Sequence, residues 1–465
     1  MKEISQRQFD AFCYTRLALT RQVSQEVRWF EAGNRKLLAT IFFDYSDEDY
    51  GFVILGRDQL NLFRSIEVST GFYDSIDKAI CGLRERMDFY SRDSNEYYEQ
   101  GDEKGKPNDI FLPKRDGHKL HPYFKRLTEL PQYEAARNLI KEIAYSFKDV
   151  DGNYIEQFQT TAFDARLWEL YLYAFFQNNW FQIDRNKSVP DFCLVKDGQE
   201  CFVEAVTVGA NEKFDLPNPK SAQDVVEYSK DYMAIKFGSA LFTKLNHKNK
   251  YWELPHVMGK PLVFAIHDYH QPPDADTPAS MTWSRAALSN YLYGMRDVVE
   301  FNEDGRPQSA MMETPEGKKQ KIVSQEEHRF GGKVIPSNFF IQPETENISA
   351  ILFSNAATIP TFNRMGKLAG LGSESVIMIR QGVKMTESGN ILPFTIDVAS
   401  EDYEESWGDS IVMYHNPNAK IPLNPFLFED ITHVFYDPSA EQFHYLQNPN
   451  EIYSSTTTIF TSPAN

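Results

Sequence analysis

The sequence predicts a mixed α/β protein, α+β overall, and three observations carry that expectation. Residues 37–69 alternate strand-like runs with turns, the pattern of an antiparallel meander. Residues 163–267 read in the order helix, strand, strand, strand, helix, strand, with a tight hairpin in the middle. Beyond residue 300, strand-length apolar runs alternate with polar stretches, as in an α/β extension. These readings divide the chain into an N-terminal meander-plus-helix domain (1–92), a linker and helix (93–160), a central core (161–300) and a C-terminal extension (301–465). The extension is either separate or part of the same core.

Taken in order, LLATIFF (37–43), GFVILG (51–56) and FRSIEV (63–68) are the meander strands, and a helix follows at 75–90. The acids Asp44, Asp47, Glu48 and Asp49 lack the glycine and twelve-residue spacing of a calcium loop and read as a solvated turn. Residues 92–122 are rich in Gly, Lys, Asp and Pro, a long surface loop. Helices are expected at 131–147 and in FDARLWELYLYAFFQNN from 163, the second apolar on nearly every side. WFQI (180–183) is a short strand, 189–208 the hairpin, 228–248 a helix and PLVFAIH (261–267) a buried strand. Further on, a helix near 284–298 and strands at 348–354 and 375–381 flank a polar excursion at 301–335.

The hairpin carries the most information. Asp197-Gly198 suits a type I′ turn, which needs positive φ at both central residues. With those two as the loop, Lys196 pairs with Gln199. Counting outward then sets Asp191 across from Glu204 on one face, and Leu194 across from Cys201. Like charges facing each other destabilise a sheet, so either water solvates both acids or a cation lies between them. A third acid, Glu169, sits within LWELYLYAFF and is expected to be buried. A buried carboxylate is paired, metal-bound or protonated; the plain alternative is an ion pair with Arg166, one helical turn earlier.

Composition narrows the function classes. The chain has 465 residues, is 42% hydrophobic and 14% aromatic, and carries a net charge of −18, which suits a folded protein and excludes an all-over basic coat for nucleic acid. Four cysteines (Cys13, Cys81, Cys193, Cys201) form no metal-type pair, and the hairpin register sets Cys193 and Cys201 on opposite faces. Neither a signal-peptide pattern nor a membrane-length apolar run is present, so a cytoplasmic chain is expected. No P-loop, GxSxG, HExxH or dinucleotide fingerprint appears. His267, Asp268 and His270 after a strand lack a third ligating element for a transition metal. Residues 230–260 hold six lysines against two acids, with His247, Tyr251, Trp252 and His256 interleaved. Such a stretch would track a phosphate backbone or be a solvated helix end.

The acids and the element order over about 163–267 resemble the PD-(D/E)xK, or restriction-endonuclease-like, nuclease superfamily. Pro190-Asp191 matches its "PD" element, Glu204-Ala205-Val206 stands at "(D/E)xK", and Glu169 matches the acid many members carry on the preceding helix. The resemblance implies a restriction-endonuclease-like αβββαβ core with a mixed sheet. It also implies a nuclease in which Asp191, Glu204 and Glu169 bind Mg2+ or Mn2+, acting on nucleic acid, most simply DNA, with a homodimer as one compatible assembly. Val206 stands where the family has lysine, which leaves two readings. Either another cation serves, with Lys236 in the apolar run YMAIKFG as candidate and Lys187 as a weaker one, or the chain is a catalytically inactive binding or scaffold protein. The stretches EVRWFE, FDARLWELYLYAFF, PDF, VEAVTV and HNPNA also resemble those of a group of bacterial proteins, a resemblance that implies no activity.

Overall fold

The computed structural model describes residues 1–114, 119–150, 152–209, 228–269, 284–296, 299–301, 307–310, 323–385, 391–440 and 442–461. It is a mixed α/β structure with antiparallel and mixed sheets. Strands β1 (Lys2–Ile4), β2 (Ser24–Ala32), β3 (Leu37–Asp44), β4 (Tyr50–Arg57) and β5 (Phe63–Val68) form an antiparallel sheet in sequence order, backed by α1 (Ile76–Arg92). The expected meander is therefore present, with two strands added before it. Those two were hidden because β1 has three residues, and β2 (SQEVRWFEA) opens on three polar residues, does not alternate and is mostly half-buried.

The central elements follow the anticipated order. After α2 (Glu134–Ser146) come α3 (Phe163–Asn178), β6 (Gln182–Asp184), β7 (Phe192–Lys196), β8 (Gln199–Gly209), α4 (Met233–Leu245) and β9 (Leu262–Tyr269). Strands β6, β7 and β8 pair antiparallel, whereas β8 and β9 are parallel, joined by a crossover that contains α4. The sheet then continues. After α5 (Ser284–Tyr293), β10 (Ala350–Ser354) joins β9 in parallel, and α6 (Ile359–Leu368) packs against α2. Next come β11 (Val376–Met385), β12 (Ile391–Asp397), β13 (Val412–His415), β14 (Thr432–Asp437), β15 (Gln442–Leu446) and β16 (Ile452–Thr461). The large sheet has eight strands in the order β15-β14-β13-β10-β9-β8-β7-β6, and β12-β11-β16 form a separate small sheet. The C-terminal third thus supplies half the strands of the central sheet.

Each face of the large sheet is covered. Cys201, Val203, Val263, Ala265 and Leu352 face a layer holding α2, α3 and α6. Phe202, Val206, Phe264, Ile266 and Ile351 face a layer holding α4 and α5. Burial on both faces explains why these strands read as continuous apolar runs. Helix α3 is locked onto the sheet by Trp168, whose indole Nε1 donates to the Ala265 carbonyl at 2.9 Å. A buried charge network joins Arg364 on α6 and Arg380 on β11 to Glu405 in the acidic stretch 401–410. There the carboxylate is held at a pKa of about 2: desolvation opposes the shift and the two guanidinium groups override it.

Trp168 adjoins Glu169, so its anchor also positions the acid. Replacing it, Trp168→Phe, removes one buried hydrogen bond and part of the packing, and should lower stability by ~1–3 kcal/mol. An unchanged urea midpoint for this variant would show that the indole bond does not hold α3 on the sheet.

Candidate active site

The turn between β7 and β8 has Asp197 at φ 51° and Gly198 at φ 76°, the left-handed pair a type I′ hairpin requires. The register follows: Lys196 pairs with Gln199, Leu194 with Cys201 and Phe192 with Val203. Asp191, one residue before β7, keeps that count. Its amide donates to Glu204 Oε2 at 3.3 Å, and the Ala205 amide donates to Asp191 Oδ2 at 2.8 Å. The ladder itself ends at Phe192–Val203, and these two bonds bring the acids together one step beyond it. The same register leaves Cys193 and Cys201 as free thiols on opposite faces.

Glu204 is buried and faces the α4 layer with Phe202 and Val206. Its Oε1 accepts from Lys244 Nζ, at the end of α4, and from the Tyr251 hydroxyl at 2.9 Å. Glu169 comes from α3, on the opposite layer, and shares a cleft with Asp191. Arg166 Nη1 donates to Glu169 Oε1, so the intrahelical pair also forms. Desolvation pushes the Glu169 carboxyl up to about 7 from 4.5, against the pull of Arg166 and Arg185. Asp191 is pushed well above the ordinary carboxylate range, by desolvation first and then by the charges of Glu204 and Glu169. Burial is thus the main cause of both shifts, since Lys244, Arg166 and Arg185 all act on the cluster.

Lys236 is not the cation at this pair. Burial lowers its pKa, while the charges acting on it are those of Asp268, which opposes the shift, and Lys333, which adds to it. The geometry explains the correction. Helix α4 runs back along β8, and Asp268 pairs with Val208, four residues beyond Glu204. Eight helical residues span about 12 Å, close to the roughly 13 Å of four strand residues. Lys236 therefore lies level with the far end of β8 and Lys244 level with Glu204. Lys187 lines the cleft beside Glu169 and Asp191, and Val206 is buried among apolar side chains.

Three of the six lysines in the basic stretch are paired: Lys244 with Glu204, Lys250 with Glu344 and Lys260 with Glu200. This weakens its reading as a continuous phosphate track. His267 is buried beside Trp168, its Nε2 accepting from the Ala357 amide at 2.9 Å, and His270 lies outside the described residues. Among the described residues no three His, Cys, Asp or Glu side chains already converge as a metal cage.

Sequence reasoning missed Lys244, Tyr251 and Arg185. Tyr251 and Lys244 were visible only as members of the basic and aromatic stretch. Their common acceptor depends on how α4 crosses the sheet. Compared with known proteins, the chain matches no family model, and no curated protein and no solved structure is significantly similar to it.

The raised proton affinity of Glu169 has a definite sign. A carboxyl whose folded pKa lies above its unfolded value stabilises the fold fully below the unfolded pKa, and that contribution is lost as pH rises through the folded one. Between about pH 4.5 and pH 7 the metal-free protein should lose stability from this group, on the order of 3 kcal/mol at the upper end. Melting curves in a chelator across that window should show a shallower decline for Glu169→Gln than for the native chain. Parallel curves would mean that Glu169 is not held protonated.

Proposed function

We propose that the chain is a metal-dependent nuclease of restriction-endonuclease-like type, hydrolysing phosphodiester bonds, with DNA as the substrate. The observation that carries the reading is the hairpin pair Asp191 and Glu204 with a lysine, Lys244, bonded to the second acid. The helix, three strands, helix, strand order around it, with α3 and α4 on opposite faces, agrees with the αβββαβ core of that superfamily.

The donor set fits a hard divalent cation. Carboxylate oxygens suit Mg2+ and Mn2+, and Mg2+ is commonly held by one or two carboxylates plus substrate phosphate and water. Asp191 and Glu204 would be those ligands, and Glu169 adds negative charge from the other layer. The bound ion would acidify water and neutralise charge on the scissile phosphate. Lys244, anchored on Glu204, would orient the attacking water and offset charge that develops on the phosphate. Tyr251 fixes Glu204 by donating to the same oxygen as Lys244. Lys236, at the other end of β8, has no part in these steps.

A second reading, a nuclease-like binding or scaffold module without catalysis, is favoured by Val206, buried in an apolar layer where the superfamily has its lysine. The two readings separate in one set of measurements. Mn2+ or Mg2+ at a hundred times its dissociation constant should stabilise the native chain by about 2.7 kcal/mol. Asp191→Ala and Glu204→Ala should abolish that gain. DNA cleavage in Mg2+ should fall at least ~100-fold in Lys244→Ala, with the metal-induced stabilisation kept. Lys236→Ala should cleave normally. Metal stabilisation without cleavage by the native chain selects the binding module; a metal response unaffected in both acid variants removes the site altogether.

A further inference from the structure

The cleft that holds Glu169 and Asp191 contains a guanidinium group that the nuclease reading does not use. Arg185 directly follows β6. Its Nε donates to the Lys148 carbonyl at 3.0 Å, and its guanidinium lies over the Phe147 ring at 3.9 Å and the Phe192 ring at 5.3 Å. Those contacts fix the plane of the fork. Its Nη1 is buried and, among the described residues, has no hydrogen-bond partner. A buried donor left unmade is costly and calls for an explanation. The nearby Glu169 carboxylate feels the charge of Arg185, but its hydrogen bond is to Arg166.

We propose that Arg185 is the phosphate-binding residue of this cleft. It receives a backbone phosphate of a nucleic-acid strand, next to the phosphate facing Asp191 and Glu204. The inference rests on the proposed nuclease site and adds to it the register of the bound strand. A planar guanidinium with a free N–H matches a phosphate in a way a point charge does not. Stacking on two aromatic rings pre-orders the group, so little side-chain entropy is lost on binding. Lys187 lies on the same cleft and supplies a second positive charge, whereas Asp149, also there, is turned inward to the Gly152 and Tyr154 amides.

The test uses the full chain and a fluorescently labelled single-stranded DNA oligonucleotide in a chelator, so that binding is read without cleavage. Arg185→Gln should weaken binding at least ~10-fold and reduce the slope of log affinity against log salt by about one charge, ~0.7 for a single strand. Arg185→Lys keeps the stem and the charge but loses the fork. It should bind several-fold more weakly than the native chain, and it serves if the glutamine variant misfolds. Inorganic phosphate at matched ionic strength should displace the strand far less well than unlabelled strand does. In Mg2+, Arg185→Gln should raise KM more than it lowers kcat. Native-like affinity and salt slope in both variants would overturn the assignment, as would a native chain that fails to bind the strand or releases it equally well to phosphate. A chain that binds through Arg185 and never cleaves would sink the nuclease reading and leave this one standing. A chain that cleaves with Arg185 dispensable would do the reverse.

Discussion

Two carboxylates held face to face by a two-residue turn are the constraint on which the candidate site depends. Once Asp197 and Gly198 adopt left-handed conformations, β7 and β8 have one register, and Asp191 and Glu204 must meet. A slip of one residue would turn every side chain to the other face and dissolve the pair. Like charges at this distance are unfavourable. The fold answers with Lys244 from α4 and the Tyr251 hydroxyl, both on one oxygen of Glu204. Asp191 is left with a single amide donor and a strongly raised proton affinity. In the proposed reading a divalent cation would relieve that raised proton affinity.

The rest of the structure makes that constraint rigid. Strand β8 is flanked by β7 and β9, and β9 by β10, so the strand that carries Glu204 is interior to an eight-stranded sheet. Helices cover both faces, and the acids come from both layers: Glu169 from α3 on one side, Glu204 facing α4 on the other. Beyond the first residue of β7 the hairpin no longer separates these layers, which is where Asp191 and Glu169 share a cleft. Active constellations built on strands and helices hold geometry better than those built on loops.

What was legible in the sequence was local. The turn chemistry of Asp197-Gly198 gave the register by counting, and the burial of Glu169 followed from apolar neighbours on every side of its helix. What was not legible was long-range. The choice between Lys236 and Lys244 depends on where α4 lies along β8, which no helical period reports. The strand at 412–415 is short and buried and joins the sheet through β10, far away in sequence, and the strand at 432–437 joins through it in turn. Arg185 gave no signal at all, because its interest lies in a bond it does not make.

The central claim is that Asp191 and Glu204 form a divalent-cation site. Anomalous scattering from crystals grown with Mn2+ tests it most directly. The account predicts one strong peak with an oxygen of each carboxylate at roughly 2.0–2.2 Å. A peak held by other residues, or none at this pair with Lys244 still seated on Glu204, would contradict it.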